Sequence, residues 1–183
     1  MQTQATVSLE KRALEKTRVF AMDLSEHCTH ELTLHTRLRV AGLCDYGRQQ
    51  RVYRAQAAMR YFQPRFLRAV AGNTWRRYAH RVPVFIPALE GINTDRDRLT
   101  LHWHVLIGNL PQTLSTQTLI EQARRIWTEH YDAGTDIEAQ PLYYARGFGG
   151  YATKELSRFN YDCIDYDFFR APKHLTDRQQ CCS

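Results

Sequence analysis

Leu99-Thr100-Leu101-His102-Trp103-His104-Val105-Leu106-Ile107 reads as a β-strand whose two histidines stand on one face. A strand has period 2, so His102 and His104 share a side while Trp103 and Val105 point the other way, into a core. Two imidazoles on one strand face are a metal-ligand arrangement. They rarely complete the coordination of a divalent cation alone, so a third ligand is expected from a neighbouring strand.

The nearest candidate strand is 82–90, whose Pro83 and Pro87 favour a sheet edge or a bulge. Gly91 to Arg98 form a polar connection, so the two strands are expected to pair as a hairpin. If the paired residue numbers sum to an even value, Glu90 lies on the histidine face. A sum near 190 places it opposite Thr100 and diagonal to His102, about 7 Å away between backbones and within a glutamate's reach. Glu90 is therefore the predicted third ligand, with Asp95, Asp97 and Gln140 as rivals.

Working outward, residues 7–17 have helical character, and either 18–24 or 31–40 supplies the first strand. In the second of these Leu32, Leu34, Leu38 and Val40 share a face. From 48 to about 80, Val52, Ala55, Met59, Phe62, Phe66 and Val70 recur at helical spacing, which predicts one bent helix or two. Pro64 marks the break and Gly72-Asn73 the stop. Ser115 is placed to cap a helix that buries Leu119, Ile120, Ala123, Ile126 and Trp127 and ends near Gly134. A strand is expected at 136–145, and Gly147, Gly149 and Gly150 then turn the chain into a helix. These elements predict an α+β fold, a small antiparallel sheet with packed helices. One domain spans 1–170, with 171–183 as a flexible tail.

The formal charge of +6 is unevenly distributed. Between Tyr46 and Leu89 lie nine arginines (48, 51, 54, 60, 65, 68, 76, 77 and 81) and no Asp, Glu or Lys. Such a one-signed block is the electrostatic footprint of a polyanion. Arg48, Arg51, Arg54, Arg60, Arg65, Arg68, Arg76 and Arg77 are accordingly the predicted nucleic-acid contacts, and Tyr53, Tyr61, Phe62, Phe66, Trp75 and Tyr78 interleave with them. Five irregularly spaced cysteines suggest neither a disulfide framework nor a Cys-x-x-Cys zinc site. With no apolar stretch of bilayer length and no signal-peptide core near the N-terminus, a cytoplasmic protein without membrane contact is expected.

A second motif follows the histidines by some 47 positions: Gly150-Tyr151-Ala152-Thr153-Lys154-Glu155. On a helix it would bring Tyr151 and Lys154 together as an i, i+3 pair. In order and spacing, His102-x-His104 followed by Tyr151-x-x-Lys154 resembles the HUH endonucleases, and most closely the single-tyrosine initiators of rolling-circle replication.

The resemblance implies a ferredoxin-like, RRM-related core. It also implies a divalent cation, Mn²⁺ or Mg²⁺, held by His102, His104 and a third ligand, with Tyr151 as nucleophile and Lys154 assisting the phenolate or the phosphate. The implied substrate is single-stranded DNA at a plasmid or phage replication origin, with a hairpin as one form of it. The implied partners are host helicase and replication proteins, since the chain has no Gly-x-x-x-x-Gly-Lys-Ser/Thr loop of its own. Transposases and relaxases of the same superfamily share the chemistry. A non-catalytic, RRM-like nucleic-acid-binding protein is the alternative from another class.

Overall fold

The computed structural model describes residues 4–92, 100–144, 147 and 166–176. Its first element is helix α1 (Gln4–Ser25). The helix is longer than the 7–17 expected and absorbs 18–24, which is not a strand. In that run Ala21 and Leu24 are buried three residues apart, and Phe20 packs partly against the same cluster as Leu24. A seven-residue apolar run carries both periods, and packing of the helical one decides between them.

Next come β1 (Cys28–Arg39), α2 (Asp45–Ala71), β2 (Val84–Glu90), β3 (Thr100–Gly108), α3 (Thr116–Trp127) and β4 (Ala133–Pro141). The strands form one antiparallel sheet in the order β2-β3-β1-β4. From β1 onward this is a β-α-β-β-α-β chain with the split connection of ferredoxin-like folds. The α+β expectation, an antiparallel sheet with packed helices, is met.

Helix α2 is continuous through Pro64, where the sequence predicted a bend or a break. The proline removes one helical hydrogen bond. The apolar stripe runs unbroken across it, with Phe62, Phe66, Leu67 and Val70 all buried, and this packing holds the helix together. Gly72 ends it in the left-handed region (φ 78°), its N–H donating to the Arg68 carbonyl, so residues 73–80 lie outside the helix. Ser115 caps α3 by accepting from the Thr118 N–H at 3.0 Å. The helix closes at Trp127 rather than near Gly134, and β4 begins and ends a few residues earlier than the expected 136–145.

Pro87 sits in β2, the edge strand, as expected. Phe85, two residues earlier, turns its N–H outward to the Arg170 carbonyl (2.8 Å), so by alternation the missing N–H of Pro87 also faces away from β3.

The two sheet faces have different fates. Trp103, Val105 and Ile107 of β3, Leu32 and Leu34 of β1 and Phe85 and Leu89 of β2 form one core with α2 and α3. On the opposite face, Leu106, Val84, Ile86 and Cys28 make a smaller apolar cluster with Leu24 of α1. That cluster covers only one end of the face. The other end carries the histidines.

The segment 166–176 is folded rather than a loose tail from Ala171. Phe168 is buried against Trp103, Arg170 bridges to Phe85, and a short helix α4 (Lys173–Thr176) follows, with Ala171 and Leu175 against the smaller cluster. Apolar residues spaced too irregularly to show a period, Phe168, Phe169 and Leu175, provide this anchoring. Residues 177–183 lie outside the described part. No helix among the described residues is long and apolar enough to cross a membrane.

Arg54 reaches from α2 to Asp132, which is 2% exposed, in a two-pronged ion pair. Arg54→Ala strands that carboxylate. A loss of about 1–3 kcal/mol is expected, discounted because Arg54 itself is partly exposed. Urea denaturation tests this, and an unchanged midpoint would show that Asp132 finds another partner.

Candidate metal centre

β3 lies between β2 and β1, so its histidine face is flanked by side chains from both neighbours. Thr33 of β1 pairs with His104, His35 with His102, and Glu90 of β2 with His102. The paired numbers 90 and 102 sum to 192, not 190. The even parity put Glu90 on the correct face, while the two-residue shift moves it from diagonal to directly opposite His102. With this register the backbones approach closely at the strand ends: Gly91 takes φ 94°, and a Cβ there would lie 3.0 Å from the Thr100 carbonyl oxygen. Alternation carries no record of such a contact.

Glu90, His102 and His104 each offer a ligand atom, and these atoms lie within 4.8 Å of one another. Glu90 Oε2 is 3.1 Å from His104 Nε2 and 3.8 Å from His102 Nε2. Metal bonds to imidazole and carboxylate are about 2.0–2.2 Å long, so small side-chain adjustments let one cation sit among the three.

The other ring nitrogens are already committed. His102 Nδ1 donates to the Thr100 carbonyl at 3.0 Å, and His104 Nδ1 donates to Glu31 Oε1 at 3.1 Å. Both hydrogen bonds fix the ring orientation and turn each Nε2 toward Glu90, where a metal ion would take the place of the proton that His104 Nε2 shares with that carboxylate. The donor set, two imidazoles and a carboxylate with further positions open, fits a divalent cation.

Glu31 was not among the residues predicted from sequence. It is 4% exposed and held by Gln140, whose amide donates to Oε2 at 2.8 Å, and by the Thr33 hydroxyl at 3.4 Å. Gln140, a rival third ligand, thus serves to anchor Glu31. A signal was available: the alternation that sends Leu32, Leu34 and Leu38 to the core sends Glu31, Thr33 and His35 to the other face. What the pattern lacks is the adjacency of β1 to β3.

The electrostatics agree with a cation site. Burial pushes the His102 pKa below its ordinary value, which favours the neutral, ligating ring. For His104 burial pushes the same way, but hydrogen bonds to Glu31 and Glu90 outweigh it and leave the pKa raised. A positive charge on this spot is therefore favoured, whether carried by a proton or by a metal ion, and the two compete. His35 stacks on His102 with ring centroids 5.0 Å apart, its Nε2 3.9 Å from Asp136.

Glu31→Ala is expected to weaken Mn²⁺ binding by about 10–100-fold, the usual effect of losing a residue that orients a ligand. Glu31→Gln, which keeps an acceptor for His104, should lose less. Titration calorimetry measures both, and an Ala variant with the wild-type Kd would show that Glu31 does not orient the site.

The remaining predicted residues are distributed as follows. Tyr151, Lys154, Asp95 and Asp97 lie outside the described residues. Tyr143 and Tyr144 are exposed just beyond β4. Arg48, Arg51, Arg54, Arg60, Arg65 and Arg68 are on α2, which packs on the core face, and Arg76 and Arg77 follow it. The arginine block is thus not beside the histidines but across the sheet from them. Several members have local duties: Arg48 Nε donates to the Leu43 carbonyl, Arg54 pairs with Asp132, and Arg65 lies 3.7 Å from the Tyr61 ring centroid.

Fold and site together define an α+β protein of ferredoxin-like topology with a candidate two-histidine, one-carboxylate metal centre on its open sheet face. Comparison with known protein families, with characterised proteins and with solved structures finds no match.

Proposed function

We propose that the protein is a metal-dependent, single-tyrosine HUH endonuclease. It would nick and rejoin single-stranded DNA, as an initiator of rolling-circle replication does. The observation that carries this reading is the convergence of Glu90, His102 and His104 on an open sheet face, with Glu31 behind them. A divalent cation bound there would act as a Lewis acid, polarising a scissile phosphate and neutralising its developing charge.

The chain's own groups divide the remaining work. His102 and His104 present Nε2, Glu90 supplies negative charge, and Glu31 with Gln140 holds the His104 ring in its orientation. In the proposed reaction the Tyr151 oxygen forms a bond to phosphorus and the bond from phosphorus to the 3′-oxygen breaks. That oxygen takes up a proton and leaves as a 3′-hydroxyl, and the 5′-phosphate stays on the tyrosine. Reversal rejoins the strand. Lys154, one helical turn away in this reading, favours the phenolate or grips the phosphate.

The described residues on either side of the segment that holds Tyr151 pack near this face. Leu142 before it and Phe169 after it both pack against the apolar cluster that covers the other end of the histidine face.

The alternative of a non-catalytic RRM-like binder is less well supported by the sheet itself. Among the described residues its open face carries Glu31, Glu90, Asp136 and Glu138 and no Phe, Tyr or Trp on which a base would stack, and its histidines are held in the carboxylate cluster. A face of this kind repels phosphates unless a cation intervenes.

Incubation of the protein with Mn²⁺ and short single-stranded DNAs tiled across its replicon tests the proposal. A covalent protein–DNA adduct on a denaturing gel is expected. Cleavage that leaves a free 5′-phosphate would indicate attack by water, and no reaction on any oligonucleotide would overturn the reading.

A further inference from the structure

At the C-terminal end of α2 the surface opens into a notch of about 270 Å³ lined by Pro64, Arg65, Arg68, Asn73, Trp75 and Arg76. Three of its six lining residues are arginines, and none of the three forms an ion pair with a carboxylate of the described residues. The aromatic surface there is fixed: Trp75 is 6% exposed and belongs to the main core, and the Arg76 guanidinium lies 5.0 Å from its ring centroid. Arg65 is likewise held, over Tyr61 and by a 2.9 Å hydrogen bond to the Tyr61 carbonyl. Guanidinium groups pre-positioned on rings lose little freedom when they bind an anion.

Positive charge in this region is also crowded. Arg170 is held below its ordinary value, first by burial and second by repulsion from Arg76. A bound anion would relieve that repulsion. Since α2 and Trp75 belong to the core on the Trp103 side of the sheet, the notch and the histidine cluster are on opposite faces.

We propose that Arg65, Arg68 and Arg76, with Asn73, form a phosphate-binding notch that grips the backbone of a nucleic-acid segment away from the metal centre. The choice of nucleic acid as the anion rests on the proposed function; the arginine geometry does not. A DNA strand held here would be one flanking the reacting segment, so the protein would contact its target on two faces.

The test is the salt dependence of binding, followed by fluorescence anisotropy with labelled single-stranded and duplex DNA of mixed sequence. Each lost phosphate contact shallows the log–log slope by about 0.7 on single strands and about 0.9 on duplex. R65Q/R68Q/R76Q is therefore expected to shallow it by about 2 units on single strands and nearly 3 on duplex.

R37Q/R124Q/R125Q, which removes the same charge from exposed positions elsewhere, should leave the slope near wild type. Equal effects of the two triples would reduce the notch to bulk charge and overturn the proposal, as would no effect of either. Loss of orthophosphate binding in the first triple with an unchanged DNA slope would make it a small-anion site, which also overturns it. If no oligonucleotide yields an adduct yet the slope shifts as expected, the nicking reading fails and the notch stands.

Discussion

His104→Ala is expected to weaken Mn²⁺ binding by more than about 100-fold, roughly 2.7 kcal/mol or more, and to abolish adduct formation while leaving DNA affinity largely intact. His104 is the most committed member of the cluster, with Glu31 on one ring nitrogen and Glu90 on the other. Its removal deletes a ligand and leaves the buried Glu31 carboxylate without its main partner. His102→Ala and Glu90→Ala should follow in the same direction. Calorimetric titration with Mn²⁺ reads the affinity, and circular dichroism separates loss of the site from loss of the fold. A folded His104→Ala protein with the wild-type Mn²⁺ affinity would remove this cluster from consideration as the metal site. Loss of affinity confined to His102 and His104, with Glu90→Ala unaffected, would shift the third ligand to Asp95 or Asp97.

Tyr151→Phe is expected to lower adduct formation and cleavage by at least about 10⁴-fold, because it deletes the attacking oxygen and keeps the ring. Mn²⁺ affinity and DNA affinity should both stay at wild-type values, which distinguishes this variant from those at the histidines. Lys154→Ala should slow the reaction without stopping it, since a nearby cation contributes part of the barrier reduction and not the bond. Mass spectrometry of the trapped peptide identifies the attacking residue directly. A nucleotide on Tyr143, Tyr144, Tyr161 or Tyr166 would reassign the nucleophile. Full activity in Tyr151→Phe would do the same.

Reading the two results together separates the parts of the proposal. The histidine variants report on the site the fold assembles, and the tyrosine variant reports on a residue that sequence order alone links to it. An adduct that needs Mn²⁺, His104 and Tyr151 would join them in one reaction.

Period and parity made much of the site legible. A two-residue alternation put His102 and His104 on one face, and an even register brought Glu90 to the same side. The same reasoning identified the core positions of β1 and α3, because burial of one face leaves a periodic trace in composition. Local apolar spacing was less reliable where two periods overlapped, as at 18–24, or where one residue type outweighed its context, as with Pro64 in α2.

Sequence by itself determined the α+β class, the two-faced character of β3 and the identity of three candidate ligands, all properties of neighbours along one strand or of a single hairpin. Tertiary structure alone decided that β1 lies beside β3, that Glu31 and Gln140 therefore support His104, and that the arginine helix sits across the sheet from the histidines. Those facts depend on which strands become adjacent after the chain crosses over, and strand order is set by packing of distant segments rather than by any local period.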